Sequence, residues 1–110
     1  MMETLTQEKV KEILKEFKEK VKEVIKDKFV ALILYGSYAR GDYEFGSDID
    51  VLLVVREKLK EDEEKMLSKI SSTLSLKNEI VICWLDIISG EFEKGYAPLL
   101  LNVRKEGIRI

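Results

Sequence analysis

Residues 36–50 form a polar insert between two apolar stretches, and this arrangement limits the folds open to the chain. The stretch before the insert, Phe29–Leu34, is apolar at every position, and the stretch after it is Val51–Val55. Short stretches of this kind are typical of strands that are buried on both faces of a sheet. The sequence therefore predicts two buried strands. Their connector carries glycine, serine, arginine and aspartate side chains that a plain connection does not require.

The insert ends in two aspartates, Asp48 and Asp50, spaced two residues apart. On a strand, residues two apart project from the same face, so we expect the two carboxylates to lie side by side. Like charges at such a separation repel each other unless a cation or a shared proton lies between them. We interpret Asp48 and Asp50 as a cation-binding pair. The plainer alternative is a helix or loop cap together with a solvated charge.

The insert begins with Gly36 and Ser37, directly after the first predicted strand. Gly36 permits a tight exit from the strand, and Ser37 can cap a short helix. That helix would run through about Arg40 and end at Gly41. A junction of this type places backbone N–H groups and a hydroxyl where a phosphate can bind. The alternative, an ordinary strand-to-helix turn, is less attractive because two carboxylates follow downstream.

Helical patterns flank these strands. A long helix that Thr4 or Thr6 can cap precedes them, and its apolar stripe comprises Val10, Ile13, Leu14, Phe17, Val21, Val24 and Ile25. The later elements are a helix over 61–74 with a buried stripe, a strand over 79–88, a single turn over 89–94 and a helix over 98–106; the stripe comprises Met66, Leu67, Ile70 and Leu74. This order predicts an α/β (α+β) fold in two layers, a small mixed sheet of three or more strands with covering helices.

Composition narrows the classes of function. A chain of 110 residues is expected to form one domain, 1–110, and its net charge of −2 gives no sign of a nucleic-acid-binding face. No apolar run approaches the roughly 20 residues of a membrane span, and no secretory signal is evident, so we expect a cytoplasmic protein. The one cysteine, Cys83, lies in an apolar run and is predicted to be a buried thiol. The absence of histidine excludes histidine bases and histidine metal ligands.

The motif Gly36-Ser37-x-Ala39-Arg40-Gly41, followed by Ser47-Asp48-Ile49-Asp50 and an apolar strand, resembles that of the DNA polymerase β-type nucleotidyltransferases. The resemblance is greatest to their small members, the minimal nucleotidyltransferases, and it implies their fold. It also implies that Asp48 and Asp50 bind Mg²⁺, with two ions expected, and that Gly36 and Ser37 contact the triphosphate of ATP. Arg40 would hold a phosphate or brace the loop, and Ser47 is assigned to the nucleotide site. Tyr43 and Phe45 are expected to pack locally, or one of them borders the base.

The resemblance also implies a third carboxylate early in the third strand, where this chain has Val81, Ile82 and Cys83. The nearest candidates are Glu79 and Asp86, which lie on opposite faces of a regular strand because they differ by an odd number of residues. An unpaired carboxylate among apolar residues is costly, so Asp86 is the preferred third catalytic residue. The other alternative is that no third carboxylate exists and that catalysis is weak or lost.

What the resemblance implies about function is the transfer of AMP from ATP to an acceptor hydroxyl. Minimal nucleotidyltransferases are often paired with a helical HEPN-type toxin, and some add AMP to a tyrosine of that partner. Such a partner, or a homodimer, would supply the surface that binds the acceptor. The alternative is a catalytically degraded nucleotide-binding antitoxin that acts by contact alone. Modification of polynucleotides or antibiotics is disfavoured by the lack of a basic patch and of a substrate domain.

Overall fold

The computed structural model describes residues 6–110 and contains the predicted alternation of helices and strands. The long helices pack on a four-stranded sheet, and the shorter elements connect its edges. In chain order the elements are α1 (Gln7–Ile25), a 3₁₀ turn (Lys26–Lys28), β1 (Phe29–Tyr35), α2 (Ser37–Arg40), β2 (Ile49–Val55), α3 (Glu61–Asn78), β3 (Ile82–Ile88), α4 (Ser89–Lys94), α5 (Pro98–Glu106) and β4 (Ile108–Arg109).

The strands lie in the order β3-β2-β1-β4. β1 is antiparallel to both β2 and β4, whereas β2 and β3 are parallel and are connected through α3. The small mixed sheet predicted from the sequence is therefore confirmed. Because β1 ends where β2 and β3 begin, residues 36–50 and the start of β3 meet at one end of the sheet. We call this the insert end.

Both faces of the central strands are buried, as their uninterrupted apolar character predicts. Leu32, Leu34, Ile49 and Leu53 pack with helices α1 and α3 in the main core, and we call this side the α1–α3 face. Alternate strand residues form a smaller cluster with α5 on the opposite side, the α5 face; its buried members are Ala31, Ile33, Leu52, Val54, Leu100 and Val103. The predicted pairing of sheet and helix layers is confirmed, and α4 and α5 add a smaller cover on the second face.

Helix α1 forms as its periodicity predicts. Thr6 is the N-cap, and its hydroxyl accepts a hydrogen bond from the Lys9 N–H at 3.1 Å. The other candidate cap, Thr4, lies outside the described residues. Six of the seven stripe residues are buried, and Val24 packs against the same core while partly exposed. Burial of this stripe in the main core, against α3 and β1, contributes apolar area that stabilises the domain.

Helix α3 is longer than predicted, ending at Asn78, and β3 correspondingly begins at Ile82. Two serines of α3 join the helix to β3. The Ser71 hydroxyl donates to the carbonyl of Ile82 at 3.1 Å, and the Ser75 hydroxyl accepts from the Ile82 N–H at 3.0 Å. The predicted burial of Met66 is wrong, since its side chain is 47% exposed.

Helix α5 runs over the predicted residues, with Pro98 in its first turn. The last residues pair with β1 as strand β4, through Ile33 with Arg109 and Leu34 with Ile108. In the part of the chain that the structure describes, no helix combines the length and the apolar character needed to cross a bilayer.

Candidate functional site

Asp50 lies at the insert end of the sheet, on the α5 face. It is the second residue of β2 and is paired in register with Tyr35 of β1 on one side and Cys83 of β3 on the other. Registered neighbours share a face of the sheet, so these three side chains form a row. Ile49 points the opposite way and is fully buried in the main core, as predicted.

Asp48 precedes β2 by one residue and is solvent-exposed. Its Oδ2 atom lies 3.8 Å from the Sγ atom of Cys83, so Asp48 sits beside the same row of side chains as Asp50. The charge of Asp48 raises the pKa of Asp50, which shows that the two carboxylates are close enough to interact. The structure therefore brings Asp48 and Asp50 together, whereas Cys83, predicted to be buried, is exposed.

The electrostatics of the pair disfavour two negative charges in the absence of a cation. Partial burial is the main cause that raises the pKa of the Asp50 carboxyl above its ordinary value of 3.8, and the Asp48 charge raises it further. Arg40 acts in the opposite sense and lowers it. A divalent cation between the carboxylates would relieve this repulsion directly.

The side chains at the insert end fit a magnesium ion that is coordinated by the protein and a nucleotide together. Among residues 6–110, no cluster of three or more Asp, Glu, Cys or His side chains could hold a metal ion alone. Mg²⁺ is commonly held by one or two carboxylates, with water and substrate phosphates completing its shell. Asp48 and Asp50 are such a pair. They would be the protein ligands of the ion when nucleotide is bound.

Gly36 lies directly against Asp50. Its φ angle is +77°, a conformation that L side chains rarely adopt, and a Cβ atom added there would lie 2.6 Å from Oδ2 of Asp50. The carbonyl of Gly36 accepts hydrogen bonds from the N–H groups of Ala39 and Arg40 at 3.1 and 3.0 Å. Gly36 is therefore the N-cap of α2, and the prediction that Ser37 is the cap is wrong. Ser37 is the first residue of the helix. It is half-buried and follows Gly36 at the insert end of the sheet.

Arg40 links the insert to the end of α5 through two carboxylates. Its Nε donates to Asp42 at 3.1 Å, and its Nη1 donates to Glu106 at the end of α5 at 3.3 Å. These two carboxylates raise the pKa of the guanidinium above its ordinary value. Of the two roles considered from the sequence, the bracing role is the one that these contacts support.

We expect Arg40→Ala to weaken nucleotide transfer by about tenfold and to leave the fold intact. The ion pairs of Arg40 are solvent-exposed, so their loss alone is expected to have little effect on unfolding. Arg40→Lys keeps the positive charge that acts on Asp50 but cannot keep the paired hydrogen bonds to Asp42 and Glu106. This variant is expected to retain most activity. Steady-state rates and thermal unfolding of both variants test this. A loss above a thousandfold with Arg40→Lys would show that the guanidinium binds phosphate directly.

The loop from Asp42 to Ser47 closes through Ser47. Its hydroxyl accepts from the Glu44 N–H at 2.9 Å, and its own N–H donates to the Glu44 carbonyl at 3.0 Å. This turn directs the chain into Asp48. Tyr43 stacks on the buried ring of Tyr38 with 4.5 Å between ring centroids, as expected for local packing, whereas Phe45 is 61% exposed. Phe45 is thus the more exposed of the two aromatic side chains of this loop.

The structure does not bring Asp86 to the aspartate pair. Asp86 is in register with Leu53, a residue of the main core, and is three residues from Cys83 on the same strand. It therefore lies on the α1–α3 face, opposite to Asp50, and its exposed carboxylate does not incur the cost of burial on which its selection rested. The prediction of Asp86 as the third carboxylate is wrong in its geometry. Glu79 also does not join the row formed by Tyr35, Asp50 and Cys83. It lies outside β3, as the C-cap residue of α3, and its backbone is in the left-handed conformation.

Three residues that support the site were not singled out from the sequence for this role. Gln7 donates from Nε2 to the carbonyls of Tyr38 and Ala39 at 2.5 and 3.4 Å, tying the start of α1 to α2. Glu106 accepts from Arg40, and Cys83 contacts Asp48. The contacts of Gln7 and Glu106 join residues more than 30 positions apart, so no local pattern reveals them. For Cys83, the signal was its place early in the third strand.

The sequence is similar to those of known proteins. A family model described as a nucleotidyltransferase domain matches residues 10–108. A candidate protein adenylyltransferase of Methanocaldococcus jannaschii is 49% identical over 71 residues, which cover 64% of this chain and 72% of that protein.

Solved structures share the fold. A candidate minimal nucleotidyltransferase superposes with a TM-score of 0.62 at 19% identity, covering 99% of this chain and 100% of that one. A toxin–antitoxin complex with AMP-PNP gives a TM-score of 0.59 at 18% identity, covering 96% of this chain and 72% of that one. At these identities the likeness is one of fold.

Proposed function

The chain belongs to the nucleotidyltransferase domain family, and from this premise we propose that it transfers AMP from ATP to a hydroxyl group of a protein acceptor. The observation that carries the proposal is the convergence of Asp48 and Asp50 beside Gly36 at the insert end of the sheet. The adenylyl group and the protein acceptor are proposed from the name of the 49% identical relative.

Each part of the insert end has a task in this reaction. Asp48 and Asp50 would hold Mg²⁺, which when bound supplies charge stabilisation to the attacking and leaving oxygens. Gly36 and Ser37 form the turn against which the triphosphate would lie, since no Cβ at Gly36 occupies the space next to Asp50. Ser47 closes the turn that leads into Asp48, and the exposed side chain of Phe45 would border the adenine base. In the transfer, the acceptor oxygen forms a bond to the α-phosphorus and pyrophosphate leaves.

The acceptor hydroxyl must lose its proton during this transfer. The chain has no histidine, and Asp86 lies on the other face of the sheet, so among the described residues the carboxylates of Asp48 and Asp50 are the candidate bases at the site. Arg40 does not take part in the proton transfer, because its guanidinium is held by Asp42 and Glu106.

The proposed acceptor is a tyrosine of a HEPN-type toxin that forms a complex with this chain. Its support is the fold shared with a protein that was solved as a toxin–antitoxin complex with AMP-PNP. A second copy of the chain is the other candidate for the surface that binds the acceptor.

A second candidate function is contact-only neutralisation of such a partner by a catalytically degraded enzyme. The observation that favours it is the position of Asp86, because no third carboxylate joins the pair among the described residues. Both functions use the same nucleotide site, but only in the first is AMP transferred from ATP to an acceptor.

The deciding experiment incubates the chain with ATP carrying a labelled α-phosphate, with Mg²⁺ and with the product of the neighbouring gene. The proposed function predicts label on the partner, a mass increase of one AMP on a tyrosine, and no label with Asp48→Asn. Tight binding of the partner without label, combined with ATP binding by calorimetry, would establish the contact-only function instead. If neither ATP nor the partner binds, both functions are wrong.

A further inference from the structure

Cys83 stands where a third side chain of the site would stand. It is the residue of β3 in register with Asp50, on the same face of the sheet, and its Sγ atom is 3.8 Å from Oδ2 of Asp48. The next residue along the strand on that face is Leu85, which is 50% exposed. No charged side chain of β3 therefore faces Asp48 and Asp50, and the β3 group that contacts Asp48 is the thiol of Cys83.

We propose that Cys83 is a positioning residue of the site: its S–H group donates to Asp48 and holds that carboxylate towards Asp50. Three features of the geometry make this contact matter. Asp48 lies before β2, so the pairing of strand backbones does not fix its side chain. It is exposed, so packing does not fix it either. The described residues give its carboxylate no other side-chain hydrogen bond, so the thiol is the neighbour that defines its direction.

The proposal has a second consequence, for the strength of metal binding. A thiol at this position leaves the site with two carboxylates, and a carboxylate there would add a third ligand of the kind that Mg²⁺ prefers. In this chain the ion would depend more heavily on phosphate oxygens of the nucleotide. Metal binding without nucleotide should therefore be weak, and Cys83 is the position at which it can be strengthened. This inference depends on the proposed function only in taking Asp48 and Asp50 as the metal ligands.

The test uses the full chain and three substitutions of Cys83, with Mg²⁺ titrations followed by thermal unfolding, in the absence and presence of ATP. Cys83 is exposed, so these substitutions leave the core intact. Cys83→Ala removes the donor and is expected to raise the Mg²⁺ concentration at half-effect by about threefold, the scale of one weak hydrogen bond. Cys83→Ser keeps a donor and is expected to stay within a factor of two of the unsubstituted protein.

Cys83→Asp gives the most specific signature. It should lower Tm without metal, since a third negative charge joins the pair, and it should tighten Mg²⁺ binding about tenfold. Leu85→Asp is the matched control, because it adds the same charge to the same face of the same strand, two residues further from the site. A merely structural role for Cys83 would change the metal-free Tm and leave the Mg²⁺ titration unchanged.

The outcomes separate this inference from the proposed function. If Asp50→Asn abolishes the Mg²⁺ response while Cys83→Ala and Cys83→Asp titrate like the unsubstituted protein, the role of Cys83 is refuted and the metal site stands. If Leu85→Asp tightens binding as much as Cys83→Asp, the effect is one of net charge and the positioning role is refuted. If the unsubstituted protein shows no Mg²⁺ response with or without ATP, both inferences fall.

Discussion

Asp50→Asn is expected to abolish Mg²⁺-dependent transfer, with a rate loss of about a thousandfold or more, while raising the metal-free thermal stability of the protein. The loss follows because the amide carries no charge to hold the ion, which supplies several kcal/mol of stabilisation to the transferring phosphoryl group. The gain in stability follows because Asp50 is partly buried and repelled by Asp48, and both effects raise its pKa. One substitution should therefore move activity and stability in opposite directions.

The pH dependence of stability gives this prediction a sign. A carboxyl whose pKa is raised by folding binds its proton more tightly in the folded state than in the unfolded state. The free energy of unfolding therefore falls as pH rises from below the ordinary value of 3.8 through the raised pKa of Asp50. Asp50→Asn should flatten that part of the profile, and the difference in Tm between the two proteins should grow with pH across this window.

Asp86→Asn is the matched control for Asp50→Asn. It makes the same chemical change on the neighbouring strand, but on the opposite face of the sheet. We expect its transfer rate and its stabilisation by Mg²⁺ to match those of the unsubstituted protein, because Asp48 and Asp50 are intact. If transfer survives Asp50→Asn but is lost with Asp86→Asn, the reaction takes place on the α1–α3 face, and the assignment of the site to the α5 face is wrong.

Gly36→Ala is expected to lower Tm by at least about 4–8 °C and to lower transfer by about a hundredfold. The φ angle of +77° makes any side chain at this position strained, at a cost of roughly 1–3 kcal/mol, and 1 kcal/mol corresponds to several degrees in a domain of this size. The new Cβ would also lie 2.6 Å from Oδ2 of Asp50, so that carboxylate must move. A displacement of about 1 Å in a catalytic group can account for the activity loss.

Gly46→Ala separates strain from displacement. Gly46 has a similar φ angle of +87°, but a Cβ there would meet no atom within 4 Å. It should therefore lose stability through strain and keep most of its activity. Thermal unfolding and transfer rates of the two variants, measured side by side, provide the comparison. Equal activity losses would mean that the contact between residue 36 and Asp50 is unimportant.

The strands and the aspartate pair could be predicted from the sequence because local signals determine them. The stretches around residues 36–50 are apolar at every position, and both strands are buried on two faces. Gly36 and Gly41 bound the short helix as their conformational freedom predicts, each with positive φ. The spacing of Asp48 and Asp50 is local as well, so their proximity follows once β2 is known.

The third strand could not be predicted to the same accuracy because its start depends on contacts between distant segments. Ser71 and Ser75 bond to the backbone of Ile82, and these bonds let α3 continue to Asn78 and fix where β3 begins. That start sets the register in which Cys83, not Asp86, lies beside Asp50. A shift of one residue exchanges the faces of a strand, so an uncertain start leaves the third position of the site undetermined.

The most direct test of the metal site is a crystal grown with Mn²⁺ and a non-hydrolysable ATP analogue, from which an anomalous difference map is measured. Mn²⁺ accepts the same carboxylate and phosphate ligands as Mg²⁺ and gives an anomalous signal. The predicted result is a peak between the carboxylates of Asp48 and Asp50, on the face of the sheet that carries Cys83, in contact with the phosphates of the analogue. A bound analogue with its metal elsewhere, or no peak at these aspartates, would contradict the assignment of the insert end as the site of nucleotidyl transfer.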